Sequence, residues 1–571
     1  MTKRWLRWLE HPAGLVLVLI GLTAPTVAGL LSPVRNGDIA WHLAMGRWIA
    51  RNGTVPDAEA FTYTAAGAPM VAHEWLTQWL YWLWASAFGL AGLQWLHVAF
   101  GVVTVTLAFQ CFRRAGAAPT LALFGTGWFL LLVEPRFQVR PQMLNPVLGI
   151  ALFTLIFGGR GTISRRTQVW TGGGIALWAN LHSGAALLPA LLWGFVTVDF
   201  VQRRWTHRPP WPNEFGGGEA RGVVTLAGIA SLACLLTPNH VRLLPYLFES
   251  GQINAGRSAE WLSVLRYFQE PDTAPLIAAW CASLIACLLT CVLTVREGRR
   301  WAPAAVALAC ALAPVVSIRF VWLSFAPIAF VLGELSRALA RLGDPPRARV
   351  LAAIGSVTLA VALAWTLRAP AVQAGPFFAP PNFPIASARM LDEVPLDGRV
   401  FARSEWGGLI TWLLDERVPI FADGRWITIG DRVIKDAHII ATGRPRSLFL
   451  LDQWDIDVVV VERGWLNRDR LRAKRNRAWV RVFAGYNSEI WVRRGERGAG
   501  NREAFRRYYE AHGIPLDFRT GFRTHQAMRA NPEWARAHGV SDRFVGHFLP
   551  GGRRSERGYV SSVPSAGAAE D

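Results

Sequence analysis

The sequence predicts an α-helical polytopic membrane protein with about eleven spanning helices, followed by an extracytoplasmic C-terminal α/β domain. Two observations predict the membrane part: 52% of the 571 residues are hydrophobic, and the 18% that are charged cluster between long apolar runs. A third observation predicts the α/β domain, because strand-like and helix-like segments alternate after Pro380-Pro381.

Eleven apolar runs are long enough, or nearly so, to cross a bilayer as helices. They lie at about 12–32, 93–112, 117–134, 142–158, 168–182, 184–200, 221–237, 273–294, 302–317, 320–340 and 349–367. Several are shorter than the roughly 20 residues that a span needs, so the pair at 168–200 could form one span plus a re-entrant segment. The first run is too long for a signal peptide, and we interpret it as an uncleaved span.

Arginine clusters in alternate loops predict the orientation. These clusters share a side with the N-terminus, and the positive-inside rule assigns that side to the cytoplasm. They lie at 113–114, 165–166, 203–208, 296–300 and 341–349. The sequence therefore predicts a bacterial inner-membrane protein in which residues 1–368 form the transmembrane domain and the rest is extracytoplasmic.

The net charge of +20 does not indicate a nucleic-acid partner, because of where the charges lie. Most basic residues lie in loops between apolar runs or towards the C-terminus. In a membrane protein this distribution reports orientation and contact with anionic lipid. We therefore expect membrane lipids, and no nucleic acid, among the partners.

Two extracytoplasmic loops are long, at 33–92 and 238–272. In the first, Asp38–Arg51 has helical spacing and Phe61-Thr62-Tyr63-Thr64 alternates like a short strand. A second helix is predicted from Glu74 to Gly89, and its tryptophans suit the membrane interface. The second loop also has helical character.

The α/β domain is predicted over 385–495, with a small parallel or mixed sheet. Strands are expected to begin near Arg399, Val418 and Val458, with a helix from Gly407 to Leu414. Residues 496–571 form an Arg/Gly-rich extension. In it we predict a helix at about 502–512 and a disordered tail over 561–571.

Polar residues at membrane depth are costly, so they need a partner or a function. The orientation uses only the arginine clusters of the cytoplasmic loops, yet one set of ionisable and amide residues near membrane depth falls entirely on the predicted outer side. They are Asp38, His42, His73, Glu74, Arg136, Arg140, Asn180, His182, Asn239, His240 and Arg319.

Each of these groups also has a simpler interpretation. Asp38 could be the N-cap of its helix, although Asn36 could take that position instead. His42 could be an interfacial histidine whose ring nitrogens are simply hydrogen-bonded. His73-Glu74 could be an acidic helix start. The two arginines at 136 and 140 could be snorkelling anchors, and the Asn-His pairs could satisfy the backbone at helix ends.

Together, however, the outer-side residues predict a transfer reaction. A carboxylate near the membrane surface can act as a general base or hold a divalent ion. Arginines at the same depth suit a phosphate or pyrophosphate through bidentate contacts. Because nucleotide sugars would be absent outside the cell, the donor should be lipid-borne, and Arg136, Arg140 or Arg319 could neutralise its leaving phosphate.

The first loop resembles that of bacterial membrane proteins related to the GT-C glycosyltransferase superfamily, which includes protein O-mannosyltransferases and aminoarabinose transferases of lipid A. The resemblance rests on Asn36-Gly-Asp-Ile-Ala-Trp-His, Phe61-Thr-Tyr-Thr and His73-Glu-Trp-Leu, and later on Ser404-Glu-Trp-Gly-Gly and Phe421-Ala-Asp-Gly-Arg. It covers most of residues 1–465. The resemblance implies that Asp38 is the essential acid and that Glu74 is a second one.

This sequence departs from the family pattern in one respect that bears on metal binding. The usual acidic pair separated by one residue is absent, since Ile39 and Ala40 follow Asp38. The resemblance therefore implies inverting transfer from a polyprenyl-phosphate sugar without a strict metal requirement. No cofactor is assigned, although Asp38 could hold a divalent cation.

In the α/β domain the strongest candidates for functional residues are Glu405, Asp423 and Arg425. They could contribute to acceptor binding, or they could simply belong to tight turns.

The sequence thus predicts a membrane glycosyltransferase that moves a sugar from a polyprenyl-phosphate donor to a lipid, glycan or protein. Asp38 would act with His42, His73 and Glu74, while the arginines hold the donor phosphate. Two alternatives remain open: a transporter or flippase of lipid-linked glycans, and a non-catalytic scaffold with the same fold.

Overall fold

A computed structural model describes residues 11–158, 163–206, 220–254, 259–269, 273–299, 301–342, most of 350–360, 377–379, 382–463, 471 and 477–541. The chain forms two compact units. The helical unit comprises residues 1–32 and 87–374, and the mixed unit comprises residues 33–86 and 375–571. Most of the loop at 33–92 therefore groups with the C-terminal segment.

The helical unit is built from apolar helices, as expected for a multi-pass membrane protein. Among the described residues, five helices are long and apolar enough to cross a membrane: Pro12–Leu31, Trp75–Arg114, Ser183–Thr206, Ala274–Arg296 and Ile318–Ala340. Shorter apolar helices lie at Pro141–Phe157, Gly222–Cys234 and Trp301–Val316. The total of eleven spans stays a prediction, and the run at 349–367 lies largely outside the described residues.

Further helices of this unit are Pro119–Val133, Arg165–Leu181 and Leu243–Asn254. Short 3-10 turns join several of the helices at Glu134–Arg136, Pro141–Met143, His240–Arg242, Ala259–Trp261, Val264–Gln269 and Ile318–Ser324. The first two turns begin at or next to a proline, whose missing N–H is tolerated only at the start of a helix. The predicted helical character of the loop at 238–272 is confirmed.

Large aromatic side chains fill the core of the helical unit. Trp178, Phe129 and Phe195 are at most 1% exposed. The indole N–H of Trp178 donates to Asn145 Oδ1 at 3.0 Å, which satisfies the polar end of a buried ring.

The helix Trp75–Arg114 bends at one residue. Gly89 has φ 71° and ψ 175°, a conformation outside the helical region. The predicted interfacial helix and the predicted second span are therefore consecutive pieces that meet at this glycine.

A four-stranded mixed sheet forms the centre of the mixed unit. Its strands are β1 (Arg399–Phe401), β2 (Ile456–Glu462), β3 (Trp479–Ala484) and β4 (Ser488–Arg493), in the order β1-β2-β4-β3. The pair β1–β2 is parallel and the other two pairs are antiparallel. The expected small sheet is confirmed, but the β3–β4 hairpin was not predicted.

The prediction of a regular strand from Val418 is wrong. Ile420 instead makes single parallel bridges with Thr62 and Val400. Pro419 offers no backbone N–H, so a continuous ladder cannot extend through it.

The first loop pairs directly with the C-terminal segment inside the mixed unit. Val34 and Phe378 form a parallel bridge. The helix Asp38–Asn52 packs on the helix Ser404–Leu413. Arg47 Nε donates a hydrogen bond to Glu416 Oε1 at 2.8 Å. Other helices of this unit lie at Ile385–Glu393, Trp426–Ile429, Asp431–Thr442, Ser447–Gln453, Ala499–Ala511, Thr524–Ala530 and Pro532–Ala537. The helix predicted at about 502–512 is thus present, whereas the tail over 561–571 lies outside the described residues.

Candidate active site

A buried carboxylate lies between two histidines in the mixed unit. Glu74 is 7% exposed; its Oε2 lies 3.5 Å from His42 Nδ1 and its Oε1 lies 3.6 Å from His73 Nε2. The Gln78 side-chain amide lies 3.3 Å from the same nitrogen of His42. The structure therefore brings His42, His73 and Glu74 into one cluster, where the carboxylate can orient both imidazoles.

Asp38 lies in the first turn of the helix Asp38–Asn52 and is half-buried. Its backbone N–H donates to Asn36 Oδ1 at 2.9 Å, so the side chain of Asn36 supplies the acceptor for this N–H. Gly424 lies against the Asp38 carboxylate: a Cβ at Gly424 would be 3.0 Å from Asp38 Oδ1 and 3.5 Å from Trp41 Nε1. The C-terminal segment therefore forms one wall beside Asp38, and only glycine fits there without a shift.

The position of Gly424 is fixed by a buried network around Arg425. Arg425 donates two hydrogen bonds to Glu59, at 2.7 and 2.9 Å, and others to Asp423, the shortest at 2.6 Å. Both carboxylate side chains are 0% exposed. Burial would lower the pKa of Arg425, but the charges of Asp423 and Glu59 outweigh it and raise that pKa. The network ties the first loop to the C-terminal segment through Glu59, which sequence reasoning missed.

Glu405 lies at the surface of the same unit. Its side chain is 60% exposed and pairs with Arg403 at 3.0 Å, while Arg403 also pairs with the buried Glu462. Desolvation would raise the pKa of Glu405, but the guanidinium of Arg403 lowers it. The carboxylate is thus ionised at neutral pH and accessible to solvent.

In the helical unit, three arginines gather around the carboxylate of Glu260. Arg136 Nη2 lies 3.3 Å from Glu260 Oε2, and Arg140 hydrogen bonds the other oxygen. Arg319 stacks over the Trp261 ring at 4.5 Å. Burial would raise the pKa of Glu260, but the charges of Arg140, Arg136 and Arg319 outweigh it and hold the pKa at about 2. The three residues predicted to bind the donor phosphate therefore converge on one anion.

Backbone contacts hold this anion in place. The Ser317 hydroxyl donates to the carbonyl of Glu260 at 3.1 Å, and the N–H of Ile318 donates to the carbonyl of Leu262 at 2.8 Å. The side chains of Arg136, Arg140 and Glu260 are 16%, 12% and 19% exposed, so each still reaches solvent. Sequence reasoning missed Glu260, because a single acid in a long loop carries no spacing signal.

The remaining outer-side residues make contacts with the backbone at helix ends. Asn180 donates to two backbone carbonyls, at 2.8 and 2.7 Å, and His182 Nδ1 accepts from a backbone N–H at 2.9 Å. His240 Nδ1 lies 3.3 Å from a carbonyl oxygen, and Asn239 occupies the N-cap of the 3-10 turn that follows it. These contacts match the simpler interpretation of the Asn-His pairs.

No group of three or more His, Cys, Asp or Glu side chains in the described part of the chain is placed to hold a metal ion. The expectation that Asp38 could hold a divalent cation stays a prediction. All six cysteines are free thiols and lie in the helical unit.

No protein-family model matches the chain, and no curated protein matches it. Solved structures do match. One is the apo oligosaccharyltransferase of Archaeoglobus fulgidus, at 12% identity and a TM-score of 0.50, over 84% of this chain and 74% of that one. Another is ArnT from Cupriavidus metallidurans bound to undecaprenyl phosphate, at 13% identity and a TM-score of 0.47, over 86% and 100% of the two chains. The first likeness shows that this polytopic membrane protein has a GT-C-like fold, as the resemblance implied.

Proposed function

We propose that the protein is a membrane glycosyltransferase of GT-C type. It transfers a sugar from a polyprenyl-phosphate-linked donor to a lipid, glycan or protein acceptor on the extracytoplasmic face of a bacterial inner membrane. The observation that carries the proposal is the convergence of Arg136, Arg140 and Arg319 on one anion within a GT-C-like fold.

The arginine cluster suits the phosphate of such a donor. Three guanidinium groups and one carboxylate carry a combined charge of +2, which favours a further anion. Guanidinium forks match phosphate oxygens in geometry, and charge-assisted hydrogen bonds are stronger than neutral ones. A phosphate that leaves a sugar gains negative charge in the transition state, so the same arginines would stabilise the reaction more than the ground state.

Asp38 would act as the general base towards the acceptor hydroxyl or amine. Its carboxylate is half-buried and lies beside the backbone of Gly424, where part of it still reaches solvent. The cluster of His42, His73 and Glu74 lies in the same loop as Asp38. Its mutual contacts would hold that loop, and with it Asp38, in place. The fold is shared with an oligosaccharyltransferase, but a shared fold does not fix chemistry, so the proposal rests on these residues.

Binding of undecaprenyl phosphate to the purified full chain, measured by native mass spectrometry, tests the donor site. Undecaprenol, which lacks the phosphate, should bind much more weakly. Arg140→Gln should weaken phosphate binding by about 10- to 100-fold, because a hydrogen bond to a charged group contributes roughly 1.5–3 kcal/mol.

Arg299→Gln is the matched control. Arg299 also pairs with a glutamate, Glu334, in the helical unit, but it lies on the predicted cytoplasmic side. It should leave the affinity unchanged. Equal binding of undecaprenol and undecaprenyl phosphate would contradict the proposed donor.

A further inference from the structure

The Glu260 carboxylate occupies the position in which the arginines would hold a ligand anion. Its two oxygens contact Arg136 and Arg140 separately, one oxygen to each guanidinium. A phosphate bound by the same two N–H groups needs the same space. Two anions at van der Waals contact also repel each other, because these groups are largely shielded from water.

From this geometry we propose that Glu260 is a built-in competitor that holds the arginine site closed until a lipid-linked phosphate displaces its carboxylate. The inference rests on the proposed function, since it concerns the same site. The displacement is a side-chain exchange of one anion for another and breaks no covalent bond.

The tether of Glu260 makes this competition effective. The carbonyls of Glu260 and Leu262 accept hydrogen bonds from Ser317 and Ile318, which precede Arg319 in the chain. The carboxylate is therefore presented to the arginines from within the same molecule, at an effective concentration that a tethered group raises to the millimolar range or above. A ligand must outcompete this internal anion, so its apparent dissociation constant equals the intrinsic one divided by the fraction of molecules in which the arginines are not occupied by Glu260.

An internal competitor has a chemical advantage at this site. A cluster of arginines near a membrane surface would otherwise attract any anionic headgroup. A seated carboxylate admits only a ligand with enough additional binding energy to remove it. A long polyprenyl chain buried among apolar helices supplies such energy, whereas inorganic phosphate does not.

Glu260→Gln tests the inference because competition and simple support predict opposite results. If Glu260 competes, the neutral amide should bind undecaprenyl phosphate about tenfold more tightly, as expected when a state that blocks about nine molecules in ten is removed. Inorganic phosphate should also begin to compete in the variant, although it does not in the wild type. If Glu260 instead positions the arginines, the variant should bind more weakly. Weaker or unchanged affinity overturns the inference.

Glu334→Gln is the matched control for charge removal. Glu334 is also a carboxylate between two arginines, Arg299 and Arg337, in the helical unit. Its neutralisation should leave lipid binding unchanged. An equal gain in both variants would mean that only the overall charge matters, and it would overturn the inference.

Glu260→Asp carries the same test if the glutamine variant does not fold. Aspartate keeps the charge but is one methylene shorter, so it cannot reach both arginines in the same way. It should bind undecaprenyl phosphate more tightly than the wild type, though less tightly than Glu260→Gln. Wild-type protein that does not prefer undecaprenyl phosphate over undecaprenol would defeat the proposed function itself. A phosphate-selective wild type without a gain in either variant would defeat only the role of Glu260.

Discussion

The carboxylates of the mixed unit differ in burial, and this difference separates the roles that each can take. Asp38 is half-buried next to the backbone of Gly424, while Glu59 and Asp423 are fully enclosed and bonded to Arg425. An enclosed and fully paired carboxylate cannot accept a proton from a substrate. Asp38 is therefore the better candidate for a general base, and the Glu59–Arg425–Asp423 network is a structural support.

Asp38→Asn should abolish sugar transfer while membrane insertion and protein yield stay normal. Removal of a general base typically lowers the rate by about 10²–10⁴-fold, and the amide is nearly the same size as the carboxylate. Label transfer from polyprenyl-phosphate sugars in membrane vesicles measures this loss. Asp57→Asn changes an exposed acid of the same loop and should keep full activity. Full activity in Asp38→Asn would remove Asp38 from the mechanism.

Arg425→Met should destabilise the mixed unit strongly. It leaves Glu59 and Asp423 buried without their cation, and breaking a buried ion pair from one side typically costs about 3–5 kcal/mol. Thermal unfolding of the full chain, followed by protease resistance, measures the change. Lys435→Met breaks an ion pair that is 68% and 43% exposed, so it should cost no more than about 1 kcal/mol. Similar losses of stability in both variants would show that the buried network contributes no more than an exposed ion pair.

At the scale of elements, the bend at Gly89 divides the helix Trp75–Arg114 into two pieces. Its backbone combination of φ 71° and ψ 175° is accessible almost only to glycine. No neighbouring atom lies within 4 Å of the position that a Cβ would take. Glycine is therefore required at position 89 because of its backbone conformation, and not because a side chain would clash with a neighbour.

Gly89→Ala should lower thermal stability by about 1–3 kcal/mol, which is the usual cost of such a conformation for a residue with a side chain. Gly173→Ala, in the regular helix Arg165–Leu181, is the control, because it too has open space around its Cβ. It should stabilise the protein by about 0.5–1 kcal/mol. If Gly89→Ala were equally stabilising, the helix would have to run straight through this point.

The hairpin β3–β4 shows how an element can escape sequence reasoning although its signal is present. Trp479–Ala484 is rich in β-branched and aromatic residues, and Gly485-Tyr486-Asn487 supplies turn residues between the strands. Two strands joined by a short turn do not follow the alternation of strands and helices predicted for 385–495, so the hairpin was not expected. The opposite error occurred near Val418, where an apolar run yields a single bridge at Ile420.

For the whole molecule, long apolar runs made the membrane part predictable. The run at 273–294, for example, is the helix Ala274–Arg296. The candidate site was predictable only in part. Asp38 and the arginines belong to patterns with local spacing, whereas Glu260 and Glu59 find their partners 120 and 366 residues away. Spacing between nearby residues in the sequence cannot predict such a pairing, because only the fold brings the two side chains together.

The orientation of the whole molecule is also testable. Alkaline phosphatase, which is active only outside the cytoplasm, should be active when fused after residue 400 and inactive when fused after Arg204. The reason is that Arg203 and Arg204 lie at the end of the helix Leu187–Thr206, in a loop assigned to the cytoplasm by its positive charge. A cytoplasmic fluorescent reporter at the same points should give the reverse pattern. Phosphatase activity at Arg204 would invert the predicted topology.

The network around Arg425 has a consequence for how the protein is made. Glu59 leaves the ribosome 366 residues before Arg425, and at roughly 5–20 residues per second this delay lasts about 20–70 s. During that time the first loop holds a carboxylate whose partner guanidinium has not yet been synthesised. A chain that ends before Arg425 keeps Glu59 but lacks the guanidinium that neutralises it in the folded unit. The order of translation therefore postpones this ion pair, and the packing that depends on it, until residue 425 has been made.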